Sequence, residues 1–310
     1  MEVVKDPFVH HQSVRIVNHN NLRAVLSNPR RANKRPDPTK LQTVSDAPEP
    51  FQMSLAENIP SGEIIRFLVH APAFSTGTQH SPATVLAITG KGWLVASENE
   101  DGGISVEKAP FDETLFVEMA SILISGRLTI HFATVGTSYS ATIKFDMVEV
   151  DYYLEATRLI LDGIDRKSSA ASGTFPDFAL MTETWPWKFQ ADLQRYRPQG
   201  QTILAAVQWP AVNAAFQREL APAGALLVTD RELVLISEGN SSPLHSGAII
   251  TYFPVARLAD FHVSHHGRFG FLALQVHAAH GGEKLEIMFP PSCEQTVLRG
   301  LEHVLVPAYN

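Results

Sequence analysis

The chain has 310 residues but only one cysteine, Cys293, so no internal disulfide can form and an oxidising compartment is not indicated. It also lacks any apolar run that approaches the ~20 residues needed to span a membrane as a helix. The residues that follow Met1 are polar and do not have the pattern of a secretion signal. We therefore expect a cytoplasmic protein with no transmembrane segment.

Sequence patterns that carry catalysis or bind metals are also scarce. The segment Gly136-Thr137-Ser138-Tyr139-Ser140 is not a nucleophile elbow, and no glycine-rich loop precedes a helix in a way that would hold phosphate. The 13 histidines include no His-Glu-x-x-His motif. We expect a protein that is not an enzyme and has no cofactor and no metal site. An enzyme would instead need a deep pocket at a domain junction, lined by histidine and carboxylate side chains.

Charge is unevenly distributed along the chain. The net charge is -7, yet residues 1–40 carry eight basic and three acidic side chains, or +5, which leaves -12 for the rest. A basic cluster lies in this region at Arg30, Arg31, Lys34 and Arg35. It is either a solvated tail or an arm that meets anionic lipid. Nucleic acid is disfavoured as a partner because no aromatic residues interleave the cluster and the remaining chain is acidic.

Several segments recur in the same order 138 to 144 residues later. A Pro-x-Gly turn and an extended apolar run occupy 59–69 and again 197–207. The segments 86–97 and 226–237 each place two apolar runs around a short turn, Gly90-Lys91 or Asp230-Arg231, which is the pattern of a β-hairpin. This agreement in order predicts an internal duplication.

Each copy continues with an alternating strand pattern and closes with a helical pattern. The alternation at Leu128, Ile130 and Phe132 indicates a half-buried strand, and the same pattern returns 144 residues later. The apolar faces of the closing helices are Tyr153, Ala156, Ile160 and Ile164 in the first copy, and Val297, Leu301, Val304 and Leu305 in the second. We expect a mainly β protein of two tandem, seven-stranded antiparallel sandwiches or barrels, each capped by a C-terminal α-helix.

The hairpin at Leu227–Ser237, its counterpart after Leu86, and the closing helices together resemble the pleckstrin-homology (PH) superfold, in particular bacterial PH-like and GRAM-like domains. The resemblance covers about 50–165 and 186–310. It implies a first domain at 49–165 and a second domain at 186–310. The polar composition of 1–48, without a clear period, indicates a mostly irregular arm, and the small polar residues after Asp165 indicate a linker at 166–185.

PH domains that bind phosphoinositides carry clustered Lys and Arg in the first inter-strand loop. The corresponding loop at 73–82 has neither residue, and the loop at 211–223 has only Arg218 beside Glu219. A multiply charged phosphate needs concentrated cationic donors. The resemblance therefore implies binding of a protein or peptide.

Aromatic residues cluster just before the second copy, in Trp185-Pro186-Trp187-Lys188-Phe189. We expect Trp185 and Trp187 to pack on the second domain or between the domains; alternatively, they line a groove for a peptide or a sugar. The linker is short enough for the two copies to pack as a pseudo-symmetric pair, like a homodimer within one chain.

The leading hypothesis is thus a non-catalytic binding or scaffold protein that engages a protein or peptide partner. The alternative is binding to an anionic membrane surface through the basic arm. The candidate binding residues are Arg30, Arg31, Lys34, Arg35, Trp185 and Trp187.

Overall fold

Mainly antiparallel β-structure with a few helices characterises the computed structural model. It describes residues 38–75, 80–122, 124–165, 181–213, 219–239, 247–267 and 269–305. The first strands are β1 (Thr39–Lys40), β2 (Ile65–Ala71), β3 (Phe74–Ser75), β4 (His80–Ser81), β5 (Thr84–Thr89), β6 (Gly92–Glu98), β7 (Ile104–Pro110), β8 (Thr114–Ile122), β9 (Ser125–Thr134) and β10 (Thr137–Asp146). The others are β11 (Ile203–Trp209), β12 (Val212–Asn213), β13 (Glu219–Ala221), β14 (Gly224–Thr229), β15 (Glu232–Gly239), β16 (Gly247–Pro254), β17 (Leu258–His266), β18 (Phe269–Ala278) and β19 (Gly281–Phe289).

The helices within the described ranges are α1 (Glu49–Asn58), α2 (Val150–Ile164), α3 (Trp187–Tyr196) and α4 (Glu294–Leu305). Residues 49–164, the first half, and 187–305, the second half, present their elements in the same order. Each half begins with a helix, continues with a long strand and a short two-stranded pair, then has six more long strands and a closing helix.

Three main sheets contain the long strands. The first sheet has the order β1-β2-β5-β6-β7, the seven-stranded sheet has the order β10-β9-β8-β16-β15-β14-β11, and the third sheet has the order β17-β18-β19. In each half, four long strands thus lie in one sheet and the last three long strands lie in another. The seven-stranded sheet combines the last three strands of the first half with the first four long strands of the second.

The two predicted hairpins are confirmed, and one threonine organises each turn. The Thr229 hydroxyl accepts hydrogen bonds from the backbone N–H groups of Arg231, at 3.2 Å, and Glu232, at 2.8 Å. The Thr89 hydroxyl accepts from the N–H groups of Lys91 and Gly92, both at 3.2 Å. A side-chain acceptor that reaches its own turn stabilises the reversal locally, which is why a short sequence pattern is enough to predict it.

A helix is present at the predicted end of each half, and part of each predicted apolar face is buried, whereas Ile164 is only half-buried and the side chains of Val304 and Leu305 lie outside the described part of the chain. Tyr153, Ala156 and Ile160 are fully buried on α2, and Val297 and Leu301 are fully buried on α4. These spacings place the side chains on one helical face, directed into the layer between two sheets.

Helices α1 and α3 were not predicted from the sequence. Each begins directly after a proline, Pro48 or Pro186, whose fixed φ suits the entry to a helix. Their buried residues are four apart, with Phe51 and Leu55 on α1 and Phe189 and Leu193 on α3. Helix α1 covers one face of the first sheet through the cluster that also contains Leu68, Val85, Ala87, Leu94 and Ala96.

Strand β8 pairs with strand β16, and this pairing, here called the joint, connects the two halves. Its register runs from Gly247 opposite Ile122 to Tyr252 opposite Val117. Strand β8 opens the last three strands of its half, whereas β16 ends the first four long strands of its own. A two-fold pair would bring equivalent strands together. The expectation of a homodimer-like pair is therefore wrong, because the halves meet head to tail.

Candidate functional site

A cleft of about 530 Å³ opens beside the joint, where α2 of the first half meets the second half. One wall is the outer face of α2, and the others are the turn after α3, the Arg231-Glu232 turn and β16. The lining residues are Leu154, Glu155, Thr157, Arg158, Leu161, Asp162, Arg195, Tyr196, Arg197, Pro198, Gln199, Gln201, Arg231, Glu232 and Tyr252.

Arg231 connects the two walls of the cleft. Its Nη1 lies 3.0 Å from Asp162 Oδ1, and its Nε lies 3.4 Å from Asp165 Oδ2. Its Nη2 also donates to the backbone carbonyl of Asp165 at 3.1 Å. The planar guanidinium has donors enough for all three acceptors, so one side chain fixes the end of α2 against the hairpin turn.

Glu232 follows Arg231 and lies at the base of the cleft, with only 1% of its surface exposed. Burial raises the pKa of this carboxyl to about 7, against the lowering effects of Gln201 and Arg231. Its Oε2 has no hydrogen-bond partner among the described residues. The carboxyl therefore changes charge near neutral pH and retains unused hydrogen-bonding capacity.

Two tyrosines complete the inner wall. The hydroxyl of Tyr252 donates to the backbone carbonyl of Tyr196 at 2.8 Å, which fixes β16 to the end of α3. Burial raises the pKa of both Tyr196 and Tyr252. Both phenols thus stay neutral at physiological pH and act as hydrogen-bonding wall groups.

Arginine dominates the rim of the cleft. The lining includes Arg158, Arg195, Arg197 and Arg231, against three carboxyl side chains. Two of those carboxylates already have cationic partners: Glu155 is 2.8 Å from Lys40 Nζ, and Asp162 is bound by Arg231. The rim consequently favours an anionic ligand. Among the described residues that line the cleft, none is a histidine or a cysteine.

The two tryptophans predicted to bind are placed differently, and neither lines the cleft. Trp185 is 9% exposed and packs in the core cluster with Phe189. Trp187 is 79% exposed, so the expectation that it packs inside is wrong for this residue. It is the first residue of α3, on the side away from the buried Leu193 and Tyr196. Arg30, Arg31, Lys34 and Arg35 lie outside the described residues.

The cleft could not be found from the sequence because its lining comes from distant segments. The available signal was Glu232, an acidic residue directly before the apolar run at 233–236. A carboxylate there is unusual in a half-buried strand and indicates a special environment.

The first half has a smaller cavity, of about 280 Å³, at the corresponding place. It lies at the end of α1 and the Lys91-Gly92 turn, which match the end of α3 and the Arg231-Glu232 turn of the large cleft. Lys108 lies on its β7 side. Its described lining residues come from the end of α1 and the segment after it, from the Lys91-Gly92 turn and from the neighbouring strands, and none of them belongs to a helix equivalent to α2.

Searches of known protein families and of curated proteins give no match to this chain. None of the helices in the described ranges has the length and apolar character required of a membrane-spanning helix. Within those ranges, no three side chains of His, Cys, Asp or Glu are grouped so as to hold a metal ion.

Proposed function

We propose that this chain is a non-catalytic, cytoplasmic binding protein built from two tandem PH-like domains, and that it binds an acidic segment of a protein or peptide partner. The binding site would be the cleft beside the joint. The observation that carries the proposal is an arginine-rich rim above a buried Glu232 that has an unused hydrogen-bonding oxygen.

The order of strands supports the tandem PH-like architecture. Each half has four long strands in one sheet, three in the next and a closing helix, which is the arrangement that the sequence resemblance implies. Backbone contacts recur as well. The N–H of Gly90 donates to the carbonyl of Ile64, and the N–H of Asp230 donates to the carbonyl of Thr202, both at 3.0 Å.

The shape and charge of the cleft support a peptide ligand. A volume of about 530 Å³ lies in the range of small-ligand pockets, enough for a few side chains. Arginine guanidinium groups bind carboxylates in a bidentate manner, so acidic side chains suit the rim. Protonation of Glu232 below pH 7 removes the negative charge at the base of the cleft, which strengthens binding of an anionic segment.

The test is selection of peptides from a random display library on the full chain, followed by affinity measurement by fluorescence anisotropy. Selected peptides should be enriched in Asp and Glu, and Arg158→Glu should weaken their binding at least tenfold, since it reverses a charge at the rim. Lowering the pH from 8 to 6 should strengthen binding to the wild type, and Glu232→Gln should remove this pH dependence.

The matched control is Arg66→Glu, which reverses an exposed arginine on β2 outside the cleft lining. Peptides that bind Arg158→Glu as tightly as the wild type, or a selection that yields no binder, would exclude this function. The alternative, attraction of the basic arm to anionic lipid, concerns residues outside the described ranges.

A further inference from the structure

We propose that this protein associates with further copies of itself, head to tail, by pairing the open edge of β17 in one copy with the open edge of β7 in the next. The inference concerns surfaces other than the peptide cleft and does not depend on peptide binding. It extends to a second chain the arrangement that already connects the two halves at the joint.

The two open edges are the counterparts of the two strands that form the joint. Strand β7 pairs with β6 as β16 pairs with β15, and each pairing begins with a proline, Pro110 or Pro254. Strand β17 pairs with β18 as β8 pairs with β9, with an irregularity at the same place. Within the described residues, β7 pairs only with β6 and β17 pairs only with β18. No described strand therefore occupies the edges equivalent to those of β16 and β8.

The backbone polarity of the two edges matches. The N–H of Val255 donates to the Arg231 carbonyl at 2.7 Å, so alternation along β16 directs the Ile250 N–H toward β8, opposite Met119. The N–H of Phe111 donates to the Lys91 carbonyl at 3.0 Å, and the same alternation directs the Val106 N–H to the open side.

Val106 occupies the position of Ile250, and Val263 occupies the position of Met119, each 144 residues apart. The register of the joint, carried to the open edges, therefore places Val106 of one copy opposite Val263 of the other.

The side chains at the two edges fit the same register. Ile104 and Val106 on β7, and Phe261 and Val263 on β17, are only half-buried, although each packs at the margin of a core cluster. Their counterparts at the joint are all buried: Ala248, Ile250, Val117 and Met119. Edge pairing would complete the burial of these four apolar side chains, which is the main driving force for adding a strand.

On the opposite face, the same register brings polar groups together. Glu107, exposed on β7, would lie opposite His262, exposed on β17. A carboxylate and an imidazole at directly opposed positions form a favourable cross-strand pair.

The smaller cavity of the first half provides an independent observation. In the large cleft, α2 covers the hairpin turn, and Asp162 and Asp165 bind Arg231. In the first half, Lys91 holds the position of Arg231, and its side chain is 82% exposed, with Glu63 at 3.7 Å. Helix α4 of a neighbouring copy would lie over the Lys91-Gly92 turn in the same way that α2 lies over the Arg231-Glu232 turn within one chain.

Charge is complementary at that contact. Glu302, exposed on α4, occupies the position that Arg158 has on α2, and it would face the cations Lys91 and Lys108 around the small cavity. Attraction between these groups favours the orientation that edge pairing requires.

Because the paired edges are not equivalent, the assembly is open-ended. Each added copy leaves one β7 edge and one β17 edge free, so the mean mass should rise continuously with concentration instead of stopping at a dimer.

The test is sedimentation velocity of the full chain from micromolar to submillimolar concentration. The wild type should grow beyond twice its 34.1 kDa mass, whereas Val106→Pro and Val263→Pro should each remain monomeric. Both substitutions remove an N–H that points to the open side and leave the ladder to the neighbouring strand intact. An equimolar mixture of the two variants should form a dimer that grows no further, since one free edge of each type remains functional.

Charge reversal provides a second test that does not depend on the proline variants folding. Glu302→Lys should weaken association at least tenfold. A second protein that carries both Lys91→Glu and Lys108→Glu should again associate with the Glu302→Lys variant. Glu49→Lys is the control, because Glu49 corresponds to Trp187, which is exposed although the joint is formed. A wild type that stays monomeric throughout, proline variants that assemble like the wild type, or a mixture that forms no dimer would each overturn the proposal.

Discussion

Replacing Gly126 with valine should lower the free energy of unfolding by about 3 kcal/mol or more. A Cβ at this position would lie 2.2 Å from the ring of Phe145, its partner across β9 and β10. That ring is fully buried and stacks on Tyr153, with 3.8 Å between ring centroids. It therefore has no space into which it could rotate, and the added methyl groups force a shift of the sheet or of α2.

The second half offers a matched variant. Gly270 faces the buried ring of Phe289, and a Cβ there would lie 2.6 Å away, so Gly270→Val should have an effect of the same size. Gly90→Ala is the control, because a Cβ at Gly90 meets no atom within 4 Å; it should change stability by less than about 0.5 kcal/mol. Urea unfolding followed by circular dichroism measures the free energy of unfolding of all three variants. Equal stabilities for Gly126→Val and Gly90→Ala would contradict the packing described.

Two buried groups should make opposite contributions to the pH dependence of the free energy of unfolding, and these contributions should cancel in the wild type. Burial lowers the pKa of His131 from 6.5 to about 4, with a smaller contribution from Arg127. Its ring stacks on Phe116 at 4.0 Å, and its Nε2 has no hydrogen-bond partner in the described part of the chain. Burial raises the pKa of Glu232 from 4.5 to about 7.

The signs follow from proton linkage. His131 has a lowered folded pKa, so its contribution to stability is lost as the pH falls from 6.5 toward 4. Glu232 has a raised folded pKa, so stability is lost as the pH rises from 4.5 toward 7. Each shift of roughly 2.5 units corresponds to about 3 kcal/mol. Between pH 4.5 and 6.5 the two slopes are opposite and nearly equal.

Single substitutions should reveal the pH dependence of stability that each group contributes. Relative to wild type, Glu232→Gln should lose about 3 kcal/mol of stability as the pH falls from 6.5 to 4. His131→Gln, which introduces the residue found at the equivalent Gln275, should lose about as much as the pH rises from 4.5 to 7. The double variant should follow the wild-type pH profile. Urea unfolding across this pH range checks the prediction, and single-variant curves parallel to wild type would contradict it.

The features that sequence could predict are those determined by neighbouring residues. The hairpin at Thr229 is stabilised by its own side chain, and the buried face of α2 follows from spacing alone. The short helices α1 and α3 were not predicted because each has only two or three buried residues, too few to give a clear helical period in the sequence. The four-residue spacing of Phe51 and Leu55, behind Pro48, was the usable signal.

The joint and the cleft could not be predicted from local patterns. Strands β8 and β16 carry mostly apolar residues on both faces, with Glu118 and Thr251 among the exceptions, and this is equally typical of a strand inside a separate sandwich. Long-range packing determines which strand edges pair. The cleft forms only when β8 pairs with β16. Trp187 is exposed because the other side of α3, which carries Phe189, Leu193 and Tyr196, is the side that packs in the core.

The joint should make the two halves one folding unit, since Val117 and Met119 share a core cluster with Ile250 and Tyr252. Hydrogen exchange with mass spectrometry at increasing urea concentrations checks this, by following peptides from 84–98 and 224–239. We expect both peptides to lose protection at the same urea midpoint. Loss of protection in one half while the other stays fully protected would contradict the claim.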